Sequence, residues 1–217
     1  MKSPISFAVA IAVALFFSHA ASAQNLPSTP QYDAVKDFSL ASNPNGVWSY
    51  GSLAKYGAPF VLYTATCSNM FDLPNSSWGY PNCDTPQVMH NDSNQTECFL
   101  TICVPTNVLR LDIGNSGRGP FISVLRWTAP QSGKYLFVGG VEGLDWAGPT
   151  STDLRVIYNS TTTLLDVAIN SYENPFQYRN TRNLTAGDTM DFAVDMGKDK
   201  NYSYDSTGLE ITVTQIQ

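Results

Sequence analysis

The chain has 217 residues, a formal net charge of −6 and only 14% charged residues. It contains no basic run or patch to neutralise phosphates, which excludes nucleic acid as a partner class. After the first segment no stretch is apolar enough to cross a bilayer, so the reading has no membrane span.

That first segment reads as an export signal. Lys2 supplies a basic start, Ile5–Phe17 an apolar core, and Ala21-Ser22-Ala23 a small-residue cleavage pattern. A membrane helix needs about 20 apolar residues, more than this core provides. Residues 1–23 are therefore read as cleaved, with the mature chain starting at Gln24. The expectation is a secreted protein, extracellular or periplasmic.

Residues 24–36 are expected to be an extended lead-in, since Pro27 and Pro30 oppose regular structure. One domain is expected over 37–217. Asn43-Pro44-Asn45-Gly46 signals a turn before the aromatic strand Val47–Gly51, and Pro59–Ala65 reads as a second strand.

The segment 66–107 changes character. It holds Cys67, Cys83, Cys98 and Cys103, four prolines and little periodicity, and reads as a disulfide-braced irregular insertion. Four cysteines allow three connectivities. Pairing neighbours, Cys67 with Cys83 and Cys98 with Cys103, is favoured because it closes two local loops. Zinc is disfavoured, because the spacings match no ligand pattern and His90 is the sole histidine after the signal.

Val108–Ile113 alternates cleanly, with Leu109, Leu111 and Ile113 inward. The stretch Phe121–Val141 reads as strand, turn and strand around Ala129–Gly133, and its two apolar faces predict a central hairpin. Glu142–Thr152 reads as a Gly- and hydroxyl-rich loop. Asp153–Tyr158 and Thr162–Ile169 read as a hairpin around Asn159-Ser160, and Ser171–Asn183 as a polar loop. Thr189–Val194 and Leu209–Val213 complete about nine to ten strands with no helix. The fold class expected is all-β: an antiparallel, jelly-roll-like β-sandwich.

Three phrases carry a family resemblance: Asp37–Gly51 (DFSLASNPNGVWSYG), Leu125–Tyr135 (LRWTAPQSGKY) and Ala186–Ile211 (AGDTMDFAVDMGKDKNYSYDSTGLEI). They resemble a family of secreted bacterial β-sandwich proteins that often carry a PEP-CTERM sorting tail. That family is similar in fold to the jelly rolls of carbohydrate-binding modules. The resemblance implies a sandwich and supplies no catalytic residues. No such tail is expected here, because the sequence reads to Gln217 straight after an expected strand with no sorting motif.

Carbohydrate is the partner the sequence favours. Sugars are held by aromatic faces stacked on C–H surfaces, with amides and carboxylates bonding the hydroxyls. Trp78, Tyr80, Trp146, Tyr172 and Tyr178 all fall in expected loops, with Asp145, Asn170 and Asn174 as polar neighbours. Trp48 and Trp127 fall in strands and are expected in the core. A calcium site is the second candidate, because Asp195, Asp199, Asn201 and Asp205 place oxygen donors in one connection, although Lys198 and Lys200 oppose a cation. No motif marks an enzyme; Glu142 and Asp145 form the best local carboxyl pair for a glycosidase. Sequons stand at Asn75, Asn91, Asn94, Asn159, Asn183 and Asn201. The function expected is non-catalytic binding of polysaccharide or glycan through end loops. The alternative is a structural or surface-assembly protein that self-associates by strand exchange through residues 24–36.

Overall fold

The computed structural model describes residues 29–114, 122–170 and 172–216. The signal segment, the lead-in as far as residue 28, and Phe121 lie outside the described residues. The described residues form sixteen strands, numbered in chain order: β1 Gln31–Asp33, β2 Trp48–Leu53, β3 Val61–Leu62, β4 Ala65–Ser68, β5 Asn75–Tyr80, β6 Asp84–Asn91, β7 Glu97–Phe99, β8 Ile102–Val104, β9 Leu109–Asp112, β10 Ile122–Thr128, β11 Gly133–Gly143, β12 Thr152–Tyr158, β13 Thr162–Ile169, β14 Phe176–Leu184, β15 Thr189–Asp195 and β16 Thr207–Ile216.

They build an antiparallel β-sandwich. One sheet runs β14-β11-β16-β9-β6-β5-β4, with β1 also on β16; the other runs β13-β12-β15-β10-β2-β3. Strands β7 and β8 form a separate two-stranded hairpin.

The expected central hairpin does not form. Strand β10 pairs with β15 and β2, whereas β11 pairs with β14 and β16 in the opposite sheet. The physical reason is aromatic. Trp127 on β10 and Tyr135 and Phe137 on β11 meet face to edge across the sandwich, at 4.9 and 5.3 Å between centroids. Such packing needs the strands in opposing layers, about 10 Å apart, rather than side by side. Trp48 and Trp127 lie in the core, as expected.

Two segments read as loops turn out to be sheet. Thr66–Asn107 contributes β5 and β6 to the larger sheet, with Trp78 and Val88 paired on its inner face. The outward side chains there, Ser77, Gln87 and Asn91, are polar yet buried. A polar outer face that is itself covered conceals the period of two that marks a strand. Most of Ser171–Asn183 is β14, which turns Tyr178 into the core and ends on the buried Leu184. The lead-in is also partly sheet: β1 is hydrogen-bonded along β16 of its own chain, Gln31 opposite Thr214.

Both disulfides have the favoured connectivity, Cys67–Cys83 and Cys98–Cys103. The hairpin of β12 and β13 also forms as expected, with Asn159 and Ser160 at positive φ, the conformation of a tight hairpin turn. No helix among the described residues is long and apolar enough to cross a membrane.

The β7–β8 hairpin reaches back over the outer face of the larger sheet. Ile102, Val104, Val108 and Leu144 form a small satellite core beneath it. Its far end docks on the β11–β12 connection, where Cys103 N donates to Leu144 O and Trp146 N to Thr101 O. This contact determines the geometry of one end of the sandwich.

Candidate functional site

That end collects the connections β11–β12 (residues 144–151), β13–β14 (170–175) and β15–β16 (196–206), plus the tip of the disulfide hairpin. Trp146 stands at the centre with 58% of its surface exposed. Its backbone is nevertheless held on several sides. Leu144 N donates to Ser206 O, Trp146 N to Thr101 O, and Ala147 N to Asp145 Oδ1 at 3.0 Å. An indole left in water on a pinned loop is a preformed apolar surface.

Two further exposed aromatics stand on the β15–β16 connection at the same end. Tyr202 and Tyr204 are both substantially exposed. The Tyr204 ring lies against the β11–β12 loop: a Cβ built at Gly148 would stand 2.5 Å from Tyr204 Cδ2. Thr150 Oγ1 donates to Tyr204 O at 3.3 Å, so loop and ring are linked through the backbone as well. Leu100, at the tip of the disulfide hairpin beside Thr101, is the most exposed large apolar residue described.

The expected site residues separate sharply. Trp146 is presented as anticipated. Tyr172 is half-buried beside it, bridged by its backbone to Gly143; burial first, then a hydrogen bond to Glu173, raises its phenol pKa. Asp145 is buried and accepts from the Ala147 amide, so it shapes the turn that carries Trp146. Trp78 is only 8% exposed and donates Nε1–H to Ser39 O at 2.8 Å; it is core and offers no face to a ligand. Tyr178 is equally buried, edge-on to Phe192, and burial pushes its phenol up to about 12. Tyr80 ends β5, next to the edge strand β4 of the larger sheet, and packs partly buried against the core. Placing β5 and β14 in the sheet is what turns Trp78 and Tyr178 inward.

Of the carboxyl pair read for a glycosidase, Asp145 accepts the Ala147 amide within its own turn. Glu142 is instead flanked by Glu173 and Glu210; burial, then these two charges, raise its carboxyl pKa. Among the described residues no three His, Cys, Asp or Glu side chains converge as a metal cluster. Asp195, Asp199, Asn201 and Asp205 do share one connection. There Asp205 is fully buried, and burial pushes its carboxyl up to about 6.

Tyr202 and Tyr204 were not singled out from the sequence as exposed aromatics. Their signal was the alternation Asn201-Tyr202-Ser203-Tyr204, aromatics interleaved with polar residues in a turn-rich stretch. A separate groove of about 360 Å³ crosses the outer face of the larger sheet, lined by Lys36, Asn107, Gln177, Glu210 and others. It has no aromatic wall.

No protein-family model matches the chain, and no curated protein does. Among solved structures, the N-terminal cellulose-binding domain of a Cellulomonas fimi β-1,4-glucanase is 13% identical over 66% of this chain and 90% of its own, at a TM-score of 0.33. A family 35 carbohydrate-binding module from Clostridium thermocellum is 14% identical over 51% and 89%, at 0.30. Rabbit GITRL is 16% identical over 52% and 79%, also at 0.30. Likenesses this distant carry no argument about what the chain does, and the site rests on its own geometry.

Proposed function

We propose that this protein is a secreted, non-catalytic carbohydrate-binding protein whose ligand lies on the end platform of Trp146, Tyr202 and Tyr204. The observation that carries the reading is the exposure of Trp146 on a loop held by backbone hydrogen bonds and a disulfide-closed hairpin. An unstrapped loop would collapse its indole onto the nearest apolar surface; a strapped one presents it. An exposed aromatic face matches the C–H face of a pyranose ring, and preorganisation lowers the entropy cost of binding. Asp199, Asn201 and Glu173, exposed on the adjacent connections, supply groups to bond sugar hydroxyls. The two disulfides fit an oxidising compartment outside the cytoplasm.

Retention on insoluble polysaccharides and on a glycan array tests the reading. The wild type should be retained by at least one glycan, and Trp146→Ala should weaken retention more than about tenfold while leaving the thermal midpoint nearly unchanged. A wild type that binds no glycan, or a variant that binds equally well, would sink it. Light scattering of the ligand-free protein tests the self-assembly alternative, which requires large particles.

A further inference from the structure

Beside the platform, the end of the β11–β12 connection meets the β15–β16 connection in a knot of oxygen atoms. Ser151 Oγ stands 2.9 Å from Asp199 Oδ2 and 3.1 Å from Asp205 Oδ1. The Ser151 amide also donates to Asp205 Oδ1, at 2.8 Å. A hydroxyl carries one proton, so it serves one of the two carboxylates and leaves the other contact lone pair against lone pair. Asp205 is only 1% exposed, and its second oxygen, Oδ2, is buried without a hydrogen-bond partner. A buried carboxylate oxygen with no donor is strongly unfavourable.

The surroundings deepen the deficit of positive charge. Asp195 and Asp199 both act on Asp205, and Asp195 sits directly opposite Asp153 across the strands. The lysines of the connection do not answer it. Lys200 donates its ammonium to Gly197 O at 2.6 Å, and Lys198 acts on Asp153.

We infer that Asp199, Asp205 and Ser151 hold a calcium ion, and that the ion fastens the Tyr202–Tyr204 segment to the loop of Trp146. Oxygens 2.9–3.1 Å apart have the edge lengths of a coordination shell with a radius of about 2.4 Å, the calcium range. Two carboxylates with a hydroxyl, completed by carbonyls and water, make an irregular all-oxygen set that calcium accepts and magnesium does not favour. Asp199 Oδ1 accepts the Asn201 amide at 3.1 Å, which leaves Oδ2 for the ion. Asp195 stands outside the inner set, its carboxylate accepting the Gly197 amide and acting on the Tyr56 phenol, and Asn201 Oδ1 accepts the Ser203 amide.

The test uses the full chain, stripped with chelator and supplied with calcium chloride or magnesium chloride alone. Calcium should raise the thermal midpoint by several degrees and give a calorimetric binding isotherm, with magnesium much weaker. Asp205→Asn and Asp199→Asn should each weaken calcium binding more than about tenfold. Asp199 is exposed, so its variant remains informative even if the Asp205 variant fails to fold. No binding at millimolar calcium, or an unchanged response in Asp199→Asn, would overturn the inference. The readout needs no sugar, so it is decided independently of the carbohydrate reading.

Discussion

The Tyr204 ring packs directly on the backbone of Gly148, close enough that a Cβ there would come within 2.5 Å of Cδ2 and 2.9 Å of Cε2. The contact joins the two connections that carry the exposed aromatics. Gly148→Ala should therefore displace the ring without touching the core. Because Tyr204 is exposed and free to swing outward, the stability cost should stay below about 1 kcal/mol. Glycan retention should fall, and the upfield ring-current shift of the residue-148 Hα should vanish. A retained shift would mean that the ring does not rest there in solution.

Trp78 and Trp146 make a contrasting pair. Trp78→Ala removes a buried indole from the inner sheet face and orphans the Ser39 carbonyl. A loss of about 3–5 kcal/mol is expected. Trp146→Ala should cost almost nothing in stability and lose the ligand. Denaturant titration of the two variants separates the roles, and equal destabilisation would contradict the assignment.

Asp191 is fully buried on β15 and accepts two bonds from Arg126, Nε at 2.6 Å and a terminal nitrogen at 2.8 Å. Arg126 also lies over the Phe60 ring, 4.1 Å from its centroid. Removing one partner of a buried, bidentate pair leaves an uncompensated charge. Asp191→Ala should destabilise by about 3–5 kcal/mol, whereas a hydrophobic replacement of both residues should cost less. Urea midpoints of the single and double variants measure the difference.

Glu142 offers a test by pH. Its carboxyl is raised by burial and then by Glu173 and Glu210, so the folded state holds the proton more tightly than the unfolded chain. The associated stability is present below the unfolded pKa and is lost as pH rises through the folded one. Glu142→Gln is neutral throughout. It should match the wild type near about pH 4 and be the more stable protein near about pH 7. A difference in melting temperature that stays flat over that range would show that Glu142 is fully solvated.

Much of the architecture was legible in local pattern. Alternation in Leu109–Ile113 and Leu209–Val213 placed the right side chains in the core, and Asn159-Ser160 marked a true hairpin turn. The disulfide pairing followed from proximity along the chain. The carbohydrate candidates were less legible, because a loop aromatic and a strand aromatic look alike when the strand's other face is polar. Trp78 and Tyr178 failed for that reason. The exposed loop position of Trp146 was legible, because Gly143 before it and Gly148 and Pro149 after it bar a regular strand.

The sequence by itself determined the class of fold and much of the core, and favoured one of three disulfide pairings, because period-two alternation and cysteine spacing are local properties. Only the tertiary structure decided that β10 and β11 face each other across the sandwich instead of pairing. It also decided that the disulfide hairpin folds back to strap the Trp146 loop, and that Ser151 meets Asp199 and Asp205. The last of these joins residues remote in the chain, 48 and 54 positions apart for Ser151 and the two aspartates. Distances of that kind are set by how the sheets stack and which outer face the hairpin covers, and no local pattern encodes them.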